Sequence, residues 1–114
     1  MSEYENPFTG PQLQDSEFVG ADMTNTNFNG VNLSGAKFFA VMNKALFKEC
    51  NMASAEFDDV NLAEANFHNI NLTGTAFDDV NLMNVEITNS NIVGMKIENI
   101  LVTDILAAHR SGQS

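Results

Sequence analysis

The chain is short of the residue types that carry most protein chemistry. One cysteine, Cys50, excludes an internal disulfide. There is no tryptophan, one tyrosine, two prolines and two histidines, His68 and His109. Neither histidine has the spaced His, Cys or acidic partners that a zinc site needs. No Gly-rich phosphate loop and no nucleophile motif occurs, so no catalytic residue and no cofactor is expected. Five basic residues stand against fifteen acidic ones, a net charge of −10. That balance disfavours nucleic acid and anionic membrane as direct partners and suits a basic protein, or plain solubility. No apolar run is long enough to span a bilayer and no signal-peptide pattern opens the chain, so the expected compartment is the cytoplasm. At 114 residues, one domain is expected.

What the chain has in abundance is a period of five. From Val60 to Asn84 a large apolar residue falls on every fifth position: Leu62, Phe67, Leu72, Phe77 and Leu82. Two residues before each stands a smaller one: Val60, Ala65, Ile70, Thr75 and Val80. A helix advances about 100° per residue, so centres five apart make no single stripe. A straight strand sends them alternately to opposite faces. The geometry that fits is a very short strand at i−2 to i, with i−2 and i inward, followed by a corner at i+1 and i+2. Four corners close a square coil of about twenty residues, and stacked coils pair as parallel strands about 4.8 Å apart.

Composition at each slot agrees. The corner position i+2 is rich in Gly and Asn, including Gly20, Asn25, Gly30, Gly35, Asn69, Gly74 and Asn84. Both residue types tolerate the positive φ of a type II corner. The outward i−1 position is repeatedly Asn or Asp, as at Asp22, Asn32, Asn51, Asn61, Asn71, Asn81 and Asn91. Amides stacked from coil to coil are expected to hydrogen-bond along the rod. The units ADMTN, VNLSG, ANFHN, INLTG and VNLMN resemble the A(D/N)LXX repeats of the pentapeptide repeat family over nearly the whole chain. The resemblance implies an all-β fold, a right-handed quadrilateral parallel β-helix.

Along the chain, residues 1–5 read as a flexible N-terminus, 6–102 as the β-helix and 103–114 as a C-terminal capping helix and tail. Phe8 and Leu13 are already in phase, and Pro7 and Pro11 suit the unpaired edge of a first coil. Between Phe38 and Phe47 the phase slips by one residue. A four-residue unit centred on Met42 absorbs it; an excursion at Asn43–Lys44 is the alternative. With Met42 counted, Phe18, Phe38, Phe57 and Phe77 share one wall, and Phe8, Phe28, Phe47 and Phe67 the opposite one. Beyond Leu82 the centres are Ile87, Ile92, Ile97 and Val102. Counting all centres predicts roughly five coils. Thr103 reads as the N-cap of the helix and Gly112 as its stop, with Ile105 and Leu106 covering the last coil. The resemblance also implies a possible two-fold homodimer through this end, using Leu101, Val102, Ile105 or Leu106, with a monomeric lid as the alternative.

Cys50 fills a small inward slot and reads as inert core. The chief surface feature is acidic. Asp58, Asp78 and Glu98 are spaced twenty apart, hence stacked on one corner, with Asp59 and Asp79 beside them. Like charges at one strand spacing repel unless a cation or basic partner relieves them; the plainer reading is a solvated edge that prevents aggregation. Calcium binding lacks the usual loop of ligands. Phe39 stands in an outward slot, as a contact point or as a cover for the short unit. The reading is a non-catalytic interaction or scaffold module presenting an acidic rod. Two alternatives are a DNA-mimicking modulator of DNA gyrase or topoisomerase, which the resemblance implies, and an accessory to an enzyme.

Overall fold

The structure, a computed structural model, describes residues 11–112. The expected flexible stretch 1–5, Pro7 and Phe8 lie outside the described residues. Among the described residues ten short strands precede one helix: β1 (Glu17–Asp22), β2 (Asn27–Asn29), β3 (Lys37–Val41), β4 (Leu46–Lys48), β5 (Glu56–Asp58), β6 (Asn66–His68), β7 (Ala76–Asp78), β8 (Glu86–Thr88), β9 (Lys96–Ile97), β10 (Ile100–Leu101) and α1 (Val102–Ser111). They form a parallel β-solenoid of about four turns.

Two walls are four-stranded parallel ladders, ordered β1-β3-β5-β7 and β2-β4-β6-β8. The register sets Phe18 on Phe38, Phe38 on Phe57 and Phe57 on Phe77. On the other ladder it sets Phe28 on Phe47, Phe47 on Phe67 and Phe67 on Ile87. The remaining walls are held by single bridges: Asn32 to Asn51 to Asn71 to Asn91, and Val41 to Asn61 to Asn81. Inside the tube, rings within a column lie nearly parallel with centroids 4.6–5.0 Å apart. Rings of the two columns meet edge to face at 6.2–6.4 Å. Both arrangements suit the aromatic quadrupole, and the coil spacing imposes the first. Leu33, Met42, Met52, Leu62 and Leu72 close the core between them, all fully buried.

The corners alternate in kind. After each Leu or Met centre the i+3 N–H donates to the carbonyl of i, as from Ala36 to Leu33 (3.0 Å), Ala65 to Leu62 (2.9 Å) and Thr75 to Leu72 (3.1 Å). The residue before the donor has positive φ: Gly35 at 71°, Glu64 at 63° and Gly74 at 70°. That is the type II pattern. Corners after Phe also carry a left-handed residue, Asp59 and Asn69 among them. Among the described residues they close without that hydrogen bond.

This alternation explains the asparagines. In an aliphatic unit the N–H groups of i and i+2 donate to the next coil, as do those of Leu33 to Asn51 and of Gly35 to Ala53. The N–H of i+1 points outward with no backbone carbonyl to meet it. The Asn two residues earlier accepts it: Ser34, Ala53, Ala63, Thr73, Met83 and Val93 donate to Oδ1 of Asn32, Asn51, Asn61, Asn71, Asn81 and Asn91 at 3.0–3.2 Å. The expected coil-to-coil amide ladder thus gives way to a local turn. Asn32, whose amide also donates to Gln12 Oε1 at 3.0 Å, keeps one such link. Asn61→Ala is expected to cost about 0.5–1 kcal/mol in a urea melt, and Asn61→Asp, which keeps an acceptor, less.

The phase slip proves to be a lost corner. β1 and β3 pair in register until Val19 faces Phe39, and then Ala21 faces Ala40. Gly20, left-handed at φ 66°, has no counterpart in the second coil, whereas Asp59 at φ 58° restores it in the third. Met42 is a centre, as expected, but the four-residue unit is the one before it, Ala36 to Phe39 around Phe38, and the chain cuts across its corner. Asn43–Lys44 is an ordinary turn rather than an excursion, with Ala45 N–H donating to the Met42 carbonyl at 3.1 Å. Here Val41 replaces the usual Asn, and Asn43 Oδ1 is buried without a hydrogen-bond partner among the described residues.

The C-terminal end departs further from expectation. After Ile92 the chain does not complete a fifth coil. β9 and β10 pair antiparallel, Ile97 with Ile100 and Lys96 with Leu101. Glu98 (φ 51°) and Asn99 (φ 66°) form the two-residue turn. Two consecutive left-handed residues suit a tight hairpin and reverse the chain. Val102, read as a centre, is instead the first helical residue. Leu101, not Thr103, occupies the N-cap and offers no side-chain hydrogen bond, while Gly112 ends the helix at φ −73° rather than in the left-handed region. Basic His109 and Arg110 lie in its last turn. No residue of α1 is buried, and it packs chiefly against β10. Ile105 is exposed, and Leu106 is half-buried. Leu82 and Ile87, inward by slot, are 42% and 37% exposed.

Candidate interaction surface

The wall built from β1, β3, β5 and β7 carries the distinctive outer surface. Its outward position after each Phe holds Val19, Phe39, Asp58 and Asp78 in successive coils, aligned by the parallel register. Val19 and Phe39 are exposed. Below them Asp58 sits directly on Asp78. Asp59 and Asp79 take the left-handed corners beside them, and the Asp59 N–H donates to the Asp78 carbonyl at 3.0 Å. Glu98 leaves the stack: the hairpin turn carries it away, since the ladder ends at β7.

The lost corner leaves a dent of about 660 Å³, open to solvent, in this wall. Phe39, Val41 and Asp59 line it with Asp22, Asp79 and Gly20. A Cβ on Gly20 would meet nothing within 4 Å, so that rim is empty space. Asp22 accepts hydrogen bonds from the Thr24 N–H (3.2 Å) and hydroxyl (2.7 Å). Those bonds hold its carboxyl below the usual carboxylate range. The ion pair found among the described residues, Lys44 with Glu64 at 4.0 Å, lies on another wall and is exposed. Among the described residues no cation lines the dent.

The structure thus brings Phe39, Asp59 and Asp79 together and sets Asp58 and Asp78 at their edge. It separates Glu98 from them, and it places Leu101, Val102, Ile105 and Leu106 on the projecting hairpin and helix. Val19 and Val41 join the surface without a motif to mark them, and Asp22 and Gly20, legible as repeat slots, line the dent as well. The signal was present, since the five-residue frame puts Val19 and Val41 in outward slots where polar residues are usual.

The remaining chemistry-bearing residues are placed plainly. His68 Nδ1 and Thr88 Oγ1 of the next coil lie 3.0 Å apart on the opposite wall. Among the described residues no group of three His, Cys, Asp or Glu side chains stands close enough to hold a metal ion. Cys50 is fully buried, its thiol donating to the Lys48 carbonyl (3.3 Å) and the Phe28 carbonyl (3.5 Å). Burial pushes its pKa up. A raised folded pKa means that the unfolded chain ionises first. The stability linked to this thiol is therefore full below the ordinary thiol pKa and is lost as pH rises through the folded one. Native Cys50 is expected to resist iodoacetamide at neutral pH and to react only as fast as the protein unfolds, which mass spectrometry along a urea series reads directly.

The model of the family described as pentapeptide repeats matches residues 8–38, 39–69 and 65–101, with 8 copies. Among solved structures the chain is similar to HetL, a pentapeptide repeat protein involved in heterocyst differentiation regulation from Nostoc sp. strain PCC 7120. The identity is 20% and the TM-score 0.65, over 76% of this chain and 43% of that one. The chain thus spans less than half the length of HetL. It is also similar to a pentapeptide repeat protein of the Arabidopsis thaliana thylakoid lumen, at 20% identity and TM-score 0.42, over 96% of this chain and 79% of that one. A third is QnrB1, a plasmid-mediated fluoroquinolone resistance protein, at 16% identity and TM-score 0.28, over 76% and 53%. No curated protein matches. The HetL likeness speaks to the fold, and the other two scores carry no argument. The matched repeats extend over most of the chain, and the corners, bridges and Phe columns occur where the repeats put them: the chain belongs to the pentapeptide repeat family.

Proposed function

We propose that this chain is a non-catalytic interaction module whose protein partner, basic in character, docks on the wall bearing Asp58, Asp59, Asp78 and Asp79. The supporting observation is that exposed Val19 and Phe39 share a wall with Asp58 and Asp78, while exposed Val41, round the corner, lines the dent with Asp59 and Asp79. Apolar contact area next to unneutralised charge suits a complementary surface better than it suits solvent. The test compares two immobilised variants with the wild type. One carries Asn at all four aspartates. The other neutralises as many acidic residues elsewhere on the rod. Proteins retained by the wild type and the second variant but lost from the first support the reading; equal loss from both overturns it.

The open C-terminal end is a second contact surface of this module. The inward slots Leu82 and Ile87 are part-exposed there, β7 and β8 are unpaired edges, and Ile97, Ile100 and Ile105 add apolar area. A second copy meeting this end through Leu101, Val102, Ile105 and Leu106 would remove that surface from water. Light scattering of the intact chain against one truncated after Val102 tests the homodimer; the monomer mass for both overturns it.

The DNA-mimic reading rests on the net charge of −10 together with family membership. Its test is a gyrase supercoiling assay, and neither inhibition nor protection at micromolar protein ends it.

A further inference from the structure

We propose that the dent at the lost corner is a cleft for an arginine-bearing segment of the partner protein. This rests on the interaction reading above and names the place and the chemistry.

Three observations converge. The first is shape. Omitting one residue between Phe39 and Ala40, where the first coil has Gly20 and the third Asp59, draws the second coil inward. The resulting volume of about 660 Å³ lies within the usual range for ligand clefts and exceeds what one side chain fills. The second is the aromatic wall. Phe39 is 48% exposed in an outward slot, and no other ring stacks on it among the described residues. The third is charge. The carboxylates of Asp59 and Asp79 line the cleft with no hydrogen-bond or ion-pair partner among the described residues, and Asp22 stands on the same rim.

Together these select the occupant. A purely apolar segment would strip water from the carboxylates and give nothing back. An anion is repelled. A bare divalent cation finds no group of three ligands within reach among the described residues. A guanidinium answers each feature: its plane stacks on the Phe39 ring, its paired N–H groups donate to Asp59 or Asp79, and its stem lies along Val41. Lysine, a compact and strongly hydrated point charge, matches the fork and the ring less well.

The probe is a fluorescein-labelled pentapeptide with two arginines flanking a leucine, titrated with the full chain at low ionic strength. Saturable binding is expected, about tenfold weaker for the lysine peptide and weaker still for the citrulline one. Phe39→Ala and the pair Asp59→Asn with Asp79→Asn should each weaken it about tenfold. The pair Glu49→Gln with Glu86→Gln, away from the cleft and equal in charge change, should leave it unaltered. Amide shifts of the wild type on peptide addition should centre on Gly20, Phe39, Val41 and Asp59. Circular dichroism melts establish that the variants fold. Should Phe39→Ala misfold, Gly20→Lys replaces it: its Cβ enters open space, Lys44 already adopts a similar left-handed φ, and its cation blocks the cleft from within. Equal weakening by all charge pairs would show attraction to the overall charge and overturn the cleft, while leaving the interaction reading standing. No binding by the wild type, or self-association abolished by Phe39→Ala, overturns it too. The interaction reading is then judged separately by the capture comparison.

Discussion

Phe67→Ala is expected to lower stability by about 3–5 kcal/mol, read as a fall in urea midpoint with little change in slope. Phe67 is fully buried and touches aromatic neighbours in three directions. Phe47 stacks on it at 4.7 Å, and Phe57 and Phe77 meet it edge-on at 6.4 and 6.2 Å. The coils on either side are held by backbone ladders, so they cannot collapse into the space left behind, and the cavity contribution comes in nearly full. Phe39→Ala removes the same atoms from a half-exposed outward slot and should cost well under about 1 kcal/mol. A similar cost for both would mean that the ring columns do not fill the tube.

The second large effect separates two leucines that the repeat makes equivalent. Leu62 and Leu82 stand twenty residues apart, in the same inward slot of successive coils. Leu62 is fully buried and Leu82 is 42% exposed. Leu62→Ala should cost about 2–5 kcal/mol, and Leu82→Ala about 1 kcal/mol or less in the monomer, because water already reaches one side of Leu82. Denaturant melts at low protein concentration measure both. Equal losses would show that something covers the terminal coil. If a second copy does so, the Leu82→Ala cost should grow with protein concentration, as association links to stability.

Much of the architecture was legible in advance because its causes are local and repeat. Left-handed residues at corners such as Asn25, Gly30 and Asn69 follow from what Asn and Gly tolerate. The sorting of Phe into two facing columns follows from counting Met42 as a centre. Spacing alone makes the asparagines a ladder between coils. Which N–H lacks a partner at an aliphatic corner is visible only once the backbone bonds of two neighbouring coils are counted, and that count assigns Asn61 to Ala63. The acidic residues were legible as a stack, yet nothing in the spacing showed a cleft between them. The cleft depends on the residue missing opposite Gly20, which is a relation between coils.

By itself, the sequence determined the period, the inward and outward slots and the residues able to turn corners, since each is set by φ preference and side-chain volume within five residues. Tertiary structure alone decided where the rod stops, through the hairpin at Glu98–Asn99 that takes Glu98 out of the acidic stack. It alone decided which inward leucine is covered and where a lost corner opens the wall. The physical reason is common to all three: burial and concavity in a solenoid are properties of the neighbouring coil, and a residue's own quintet does not contain its neighbour.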